Sequence, residues 1–166
     1  MTEPALTAAE LAELRTFDTP TVCNALELLA PERRALGFTH ETMIWPQADR
    51  APMVGYAKTA LIRALERPVQ DAAALRRGRV DYYRYVAEGN GPKIVVIQDL
   101  DSRRGFGCFW GEVNTAIHRG LGCEGVLSWA GTAACQSGSR SVSVVPPGPD
   151  AMSRSPRCTC AISRAE

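Results

Sequence analysis

The residues best suited to a chemical role lie at Trp110-Gly111-Glu112, which follows a turn rich in Asp, Arg and Gly. Its acidic residue, Glu112, stands at the start of a predicted helix that ends near Gly120 or Gly122. Backbone N–H groups at a helix start have no partner within the helix, and the helix dipole favours negative charge there. The segment therefore predicts a loop that binds an anion through backbone N–H groups.

Two apolar runs flank this loop and are expected to position it. Ile94–Gln98 is predicted to be a buried strand, and Gly125–Leu127 follows the helix as a second apolar run. Upstream, residues 54–62 predict another strand, in which Gly55 allows close backbone approach. Together these segments indicate a strand, loop, helix, strand unit around the candidate site.

Two helices are predicted before these strands. Thr7 and Glu10 have the spacing of a capping box, and Asp18 begins a second helix with proline just inside it and Pro31 at its end. The apolar faces of both helices predict packing against the core. The polar residues Thr19, Thr21 and Asn24 could instead point toward a site.

A third helix, residues 71–87, carries both arginines and tyrosines. Basic residues beside aromatic ones can contact nucleic acid. Acidic residues in and beside the helix dilute its charge, so the favoured interpretation is a solvated face with tyrosines packed inward.

The composition excludes several classes of protein. The chain has 166 residues, which suits one domain, and its net charge of +1 gives no attraction to nucleic acid or to an anionic membrane. No apolar run reaches the roughly 20 residues of a membrane span, and the acidic start does not resemble a signal peptide. We expect a cytoplasmic protein.

The six cysteines do not indicate a disulfide framework or a zinc site. Cys158 and Cys160 have metal-ligand spacing, but a structural zinc site needs four ligands and the chain has only two histidines. Cys23, Cys108 and Cys123 are predicted to be small buried residues.

The composition changes after residue 128. Residues 129–166 contain seven serines and four prolines but no leucine, whereas the first 128 residues contain thirteen leucines. Such a segment buries little apolar surface, so we predict a domain over residues 1–128 and a disordered tail over 129–166, with one possible strand at Val142–Val145.

Several motifs, in order, resemble the RraA-like family, which includes 4-hydroxy-4-methyl-2-oxoglutarate aldolases and regulators of ribonuclease activity. The resemblance covers about residues 10–128. The matching motifs are Asp18–Ala25, Val54–Thr59, Val95–Asp101, Gly107–Asn114 and Gly122–Val126.

The resemblance implies a layered α/β fold of the swivelling β/β/α type, assembled as a homotrimer or hexamer. It also implies a lyase that cleaves a 4-hydroxy-2-oxoacid to pyruvate and decarboxylates oxaloacetate, with magnesium or manganese as cofactor. The metal would stabilise the enolate that forms as the C–C bond breaks. The substrate-binding residues would be Cys108, Phe109, Trp110, Gly111, Glu112 and Val113, which would bind the carboxylate of a small oxoacid through backbone N–H groups.

Glu112 is the catalytic candidate, because it stands where the family usually has an aspartate that holds metal-bound water. The alternative for Glu112 is a first-turn acid that only stabilises the helix. The family's Gly-x-x-Arg-Asp motif, which clamps the substrate and binds the metal, is missing: its last two positions fall at Ala133 and Ala134. The metal ligand is therefore absent from this sequence, and we expect impaired activity.

The loss of the motif and the change of composition coincide, so we hypothesise that the reading frame of the gene shifts at or just after Ser128. Codons permitted for residues 129–136, read two bases on, can restore the glycine and arginine of the motif but not its aspartate. An uninterrupted frame in the genomic DNA, shared by close strains, would contradict this hypothesis. The alternative function is a non-catalytic regulator that binds a ribonuclease or another protein.

Overall fold

The computed structural model describes residues 6–36, 52–102, 108–128, 131–132, 141–144 and 161–164. The helices are α1 (Ala8–Leu14), α2 (Thr19–Leu29), α3 (Ala72–Ala87) and α4 (Glu112–Gly120), with a 3₁₀ turn at Pro31–Arg33. The strands are β1 (Tyr56–Arg63), β2 (Lys93–Asp99), β3 (Cys108–Trp110), β4 (Cys123–Ser128), β5 (Gly131–Thr132), β6 (Ser141–Val144) and β7 (Ala161–Arg164).

The fold is mixed α/β, built on a sheet with strand order β6-β4-β2-β1-β7. The three inner strands are parallel, and the two outer strands pair antiparallel to them. Val95 and Ile97 of the central strand β2 are fully buried, together with Ile62 of β1 and Val126 of β4. The predicted strands at residues 54–62 and 94–98 thus form the core of the sheet, within a residue or two of their predicted bounds.

Helices α3 and α4 pack together on one face of this sheet. Tyr82 and Tyr83 of α3 hydrogen bond to residues of α4, and Tyr82 and Val86 belong to the buried core. The exposed side of α3 carries its arginines. The inward packing predicted for the tyrosines is therefore confirmed for Tyr82, while Tyr83 and Tyr85 are half-buried.

The helix starts follow the predicted capping residues. Thr7 and Glu10 form a complete capping box at α1. The carboxylates of Asp18 and Asp71 accept hydrogen bonds from the N–H groups of Thr21, at 2.8 Å, and Ala74, at 2.7 Å. Such side-chain oxygens satisfy N–H groups that the helix itself cannot, which typically stabilises a helix by about 1 kcal/mol.

Glycine residues at two places determine how the chain enters β2. Gly89 and Gly91 have φ angles of 78° and 92°, a region that favours glycine, and they lie just before this strand. A Cβ atom added to Gly55 would lie 2.8 Å from the Pro92 carbonyl oxygen. The close approach predicted at Gly55 is confirmed, and it allows β1 and β2 to begin side by side.

The described residues of the tail all lie in strands. β6 overlaps the strand predicted at Val142–Val145 and extends the sheet beyond β4, while β7 pairs with β1. β5 pairs with β3 in a separate two-stranded sheet. The rest of the tail, with Ala133, Ala134, Cys158 and Cys160, lies outside the described residues, as do residues 37–51.

The packing predicted for the apolar face of α2 is wrong. α2 contains no buried residue, and Leu26, Leu28 and Leu29 are 55%, 84% and 83% exposed. Helical periodicity identifies an apolar face that could be buried, but burial also needs another surface that packs against this face. By contrast, Leu11 of α1 is buried, and Arg15, which follows α1, forms an ion pair with Glu124 of β4.

Candidate functional site

The predicted anion-binding segment spans the end of one strand and the start of a helix. Cys108, Phe109 and Trp110 form β3, where a loop was expected, and Gly111 is the N-cap residue of α4. Glu112 and Val113 occupy the first helical turn, and both are exposed. The structure thus leaves Gly111–Val113 as the part of the segment with helix-start geometry.

The start of α4 has open space next to it. Gly111 is extended, with φ −149° and ψ −172°, and it provides no side-chain cap. The first hydrogen bond within α4 runs from the Thr115 N–H to the Gly111 carbonyl, at 2.9 Å. The N–H groups of residues 112–114 come before this bond and have no acceptor within the helix. Among the described residues, a Cβ atom at Gly111 would meet nothing within 4 Å. This geometry can present N–H groups to an anion.

Asn114 fixes the position of this helix start, and sequence reasoning missed it. Its side-chain Oδ1 accepts a hydrogen bond from the Tyr83 hydroxyl at 2.7 Å, and its Nδ2 donates to the Phe109 carbonyl. One side chain therefore connects α3, β3 and the first turn of α4. The only available signal was an amide residue three positions after a helix-starting glycine, which does not reveal its partners.

Aromatic rings surround His118 in the last turn of α4. The ring centroid of Trp110 lies 4.5 Å from that of His118, and those of Tyr82, Tyr83 and Phe109 lie at 5.6, 5.8 and 6.2 Å. His118 is fully buried. His118 is therefore a core residue that packs between α3, β3 and its own helix.

The hydrogen bonds of His118 assign its protonation state. Nδ1 lies 2.6 Å from the Asn114 backbone carbonyl, which can only accept, so Nδ1 carries the proton. Nε2 is then the acceptor for the Tyr82 hydroxyl, 2.7 Å away. Burial lowers the pKa of His118, an effect that the Asn114 bond only partly offsets, and burial raises the pKa of Tyr82. Both groups are therefore neutral at pH 7.

Two buried carboxylates join the ends of β1 and β2. The Asp101 carboxylate accepts hydrogen bonds from the N–H groups of Ala64 and Leu65, each at 2.9 Å, and Asp99 accepts from the Asp101 N–H, also at 2.9 Å. Both aspartates are buried. Asp99 is the last residue of β2, and the bonds of both aspartates hold the chain where it leaves the sheet.

The described residues do not fit a divalent metal. No group of three or more histidine, cysteine, aspartate or glutamate side chains lies close enough to hold an ion in this part of the chain. Asp101 uses its carboxylate oxygens on backbone N–H groups. A site with one exposed carboxylate, Glu112, lacks the several oxygen ligands that magnesium takes from protein and substrate together.

The cysteines divide between surface and core. Cys123 is buried, and burial raises the pKa of its thiol to about 11, so it is an unreactive core residue as predicted. Cys23 is exposed, contrary to the prediction, because α2 buries none of its residues. Thr19, Thr21 and Asn24 on the same helix are exposed as well.

Comparison with protein-family models, with curated proteins and with solved structures gives no match. Among the described helices, none is long and apolar enough to cross a membrane.

The lowered pKa of His118 predicts a specific pH dependence of stability. Below about pH 6.5 the unfolded chain binds a proton at this histidine that the folded chain does not, so the free energy of unfolding falls as the pH falls. The slope from this group is at most about 1.4 kcal/mol per pH unit. We expect His118→Gln to lose this component in urea unfolding measured at pH 7, 6 and 5. An unchanged slope in the variant would contradict the assignment of a buried neutral histidine.

Proposed function

We propose that this chain is an RraA-like oxoacid-binding protein with impaired lyase activity. Its ligand would be the carboxylate of pyruvate or of a related 4-hydroxy-2-oxoacid, bound at the start of α4. The same proposal includes the layered β/β/α architecture, assembly as a homotrimer or hexamer, and a cytoplasmic location. The ancestral reactions would be retro-aldol cleavage of 4-hydroxy-4-methyl-2-oxoglutarate-type acids and decarboxylation of oxaloacetate.

The observation that carries this proposal is the uncapped start of α4 beside open space. In many helices a side-chain oxygen accepts hydrogen bonds from the first N–H groups, as Asp18 and Asp71 do in this protein. Gly111 provides no such oxygen and leaves room for one from a ligand. A carboxylate there would gain both the N–H hydrogen bonds and the favourable end of the helix dipole.

The rigidity of this helix start supports binding with a defined geometry. Asn114 bonds to α3 and β3, and Trp110 immediately before Gly111 is buried against His118. A site whose backbone is fixed before binding loses less conformational entropy when the ligand arrives. These contacts would position the N–H groups of Glu112 and Val113 without further rearrangement.

We propose impaired catalysis because the described residues lack a set of ligands for the metal that the family uses in the reaction. The family's metal stabilises an enolate, and the residues of this chain do not provide its ligands, so the proposal includes no step that depends on the metal. Glu112 would retain a position next to the bound carboxylate, with its own charge in the exposed first turn of the helix. Binding a substrate in one orientation gives affinity. Without a group that stabilises the negative charge of the enolate, such binding accelerates C–C cleavage little.

Replacing Gly111 tests the binding site directly. In Gly111→Asp, the new carboxylate should cap α4 itself, raise helix stability by a few tenths of a kcal/mol, and compete with the ligand. We expect calorimetric titration with pyruvate to show binding weakened by about tenfold or more, which corresponds to at least about 1.4 kcal/mol.

The matched control for that titration is Gly111→Ala. The added methyl group meets no atom within 4 Å, and the backbone is extended, so the N–H groups remain available. Pyruvate should bind this variant within about twofold of the wild type, a difference of less than about 0.5 kcal/mol. Equal affinity of the aspartate and alanine variants would contradict a site at the start of α4.

A second candidate function, binding to another protein, is favoured by the apolar stripe of α2. Val22, Leu26 and Leu29 are spaced i, i+4 and i+7, so they share one helix face, and the two leucines are largely exposed. Such a face normally packs against another surface. It could be covered by another copy of this chain, as the proposed trimer requires, or by a ribonuclease in a regulator.

The double variant Leu26→Lys/Leu29→Lys tests this stripe. If copies of the chain associate through it, sedimentation equilibrium should show the wild type above 18.0 kDa and the variant at that mass. The control is Leu28→Lys, since this leucine is equally exposed but lies on a different face of the helix. A wild type that sediments as a monomer would contradict self-association and leave binding to a ribonuclease as the role of the stripe.

A further inference from the structure

A cavity of about 450 Å³ opens between the carboxyl end of β1 and α3. It lies apart from the residues that form the start of α4, and none of the segment Cys108–Val113 lines it. Its volume is within the range of roughly 300–1,000 Å³ that is usual for small-molecule sites. The outer ends of parallel strands are also a common place for such sites in α/β proteins.

The floor of this cavity is apolar. It is formed by Ile62, Leu75 and Leu100, of which Ile62 is fully buried in the core. On α3, two small residues one turn apart, Ala74 and Gly78, contribute to the wall. A glycine inside a helix costs about 1 kcal/mol relative to alanine, and at this position it leaves space next to the cavity.

The rim of the cavity is charged. Arg63 and Arg67 contribute guanidinium groups and Glu66 one carboxylate, so the lining has a net positive charge. In the described part of the chain the salt bridges involve Arg15, Arg34 and Arg84, and neither rim arginine is among them. An arginine without an internal carboxylate partner is available to pair with an anionic ligand.

From these features we propose that the cavity binds a small amphipathic monoanion, a molecule with an apolar body and one carboxylate. The apolar body would pack on Ile62, Leu75 and Leu100, and the carboxylate would pair with Arg63 or Arg67 at the rim. This inference goes beyond the proposed oxoacid site, because pyruvate has no apolar body large enough to fill the floor. The two sites are independent, and Gly111→Asp should leave this one unchanged.

Octanoate is a suitable probe, with 1-octanol as its uncharged counterpart. In NMR titrations of the full chain, octanoate should produce saturable shifts of backbone amides in residues 61–78 and at Leu100. It should bind about fivefold more tightly than 1-octanol, the ratio expected from one partly exposed ion pair. Absence of saturable shifts in these residues, or equal affinity for the two probes, would overturn the proposal.

Two variants separate the apolar floor from the charged rim. Ala74→Leu should obstruct the cavity and weaken octanoate binding, whereas Ala73→Leu, an exposed neighbour on the same helix that does not line the cavity, should not. Arg63→Gln/Arg67→Gln changes only exposed side chains, so folding is not at risk, and it should remove the preference for octanoate over 1-octanol. The proposal fails if Ala74→Leu still binds octanoate like Ala73→Leu, or if the arginine variant keeps the preference.

Discussion

The buried hydrogen bond between the Tyr82 hydroxyl and His118 Nε2 is the interaction on which the arrangement of the helices depends. It joins α3 to α4 at 2.7 Å inside an aromatic cluster, where an unpaired polar group would cost about 1–3 kcal/mol. His118 Nδ1 is satisfied by its own helix, so the ring can take only one orientation. The orientation of α4 over the sheet follows from this pair, and the start of α4 is thereby held next to β3.

Local signals in the sequence were sufficient to predict the elements that surround the site. Capping residues such as Thr7, Asp18 and Asp71 act within a few positions of the chain, so their effect can be read without knowledge of the tertiary fold. The central strand β2 was equally clear, because Ile94–Ile97 is an uninterrupted apolar run, of which Val95 and Ile97 are buried. The mixed α/β class follows from these elements.

Contacts between distant segments could not be predicted in the same way. β3 is a strand because Gly131–Thr132 pairs with it, and nothing near Cys108 indicates that partner. Asn114 owes its importance to Tyr83 and Phe109, which lie on other elements. α2 and Cys23 are exposed because no described part of the chain packs over them. The spacing of apolar residues does not indicate whether such a covering surface exists.

The start of α4 and the lack of metal ligands support the same proposal about function. The start of α4 has a geometry that can bind an anion, whereas the described residues do not provide a set of metal ligands. We therefore separate binding from catalysis, and the most direct test measures both in one preparation. Pyruvate release from oxaloacetate and from 4-hydroxy-4-methyl-2-oxoglutarate, with saturating magnesium, should equal the blank without protein while pyruvate still binds. Magnesium-dependent turnover above that blank would contradict the account.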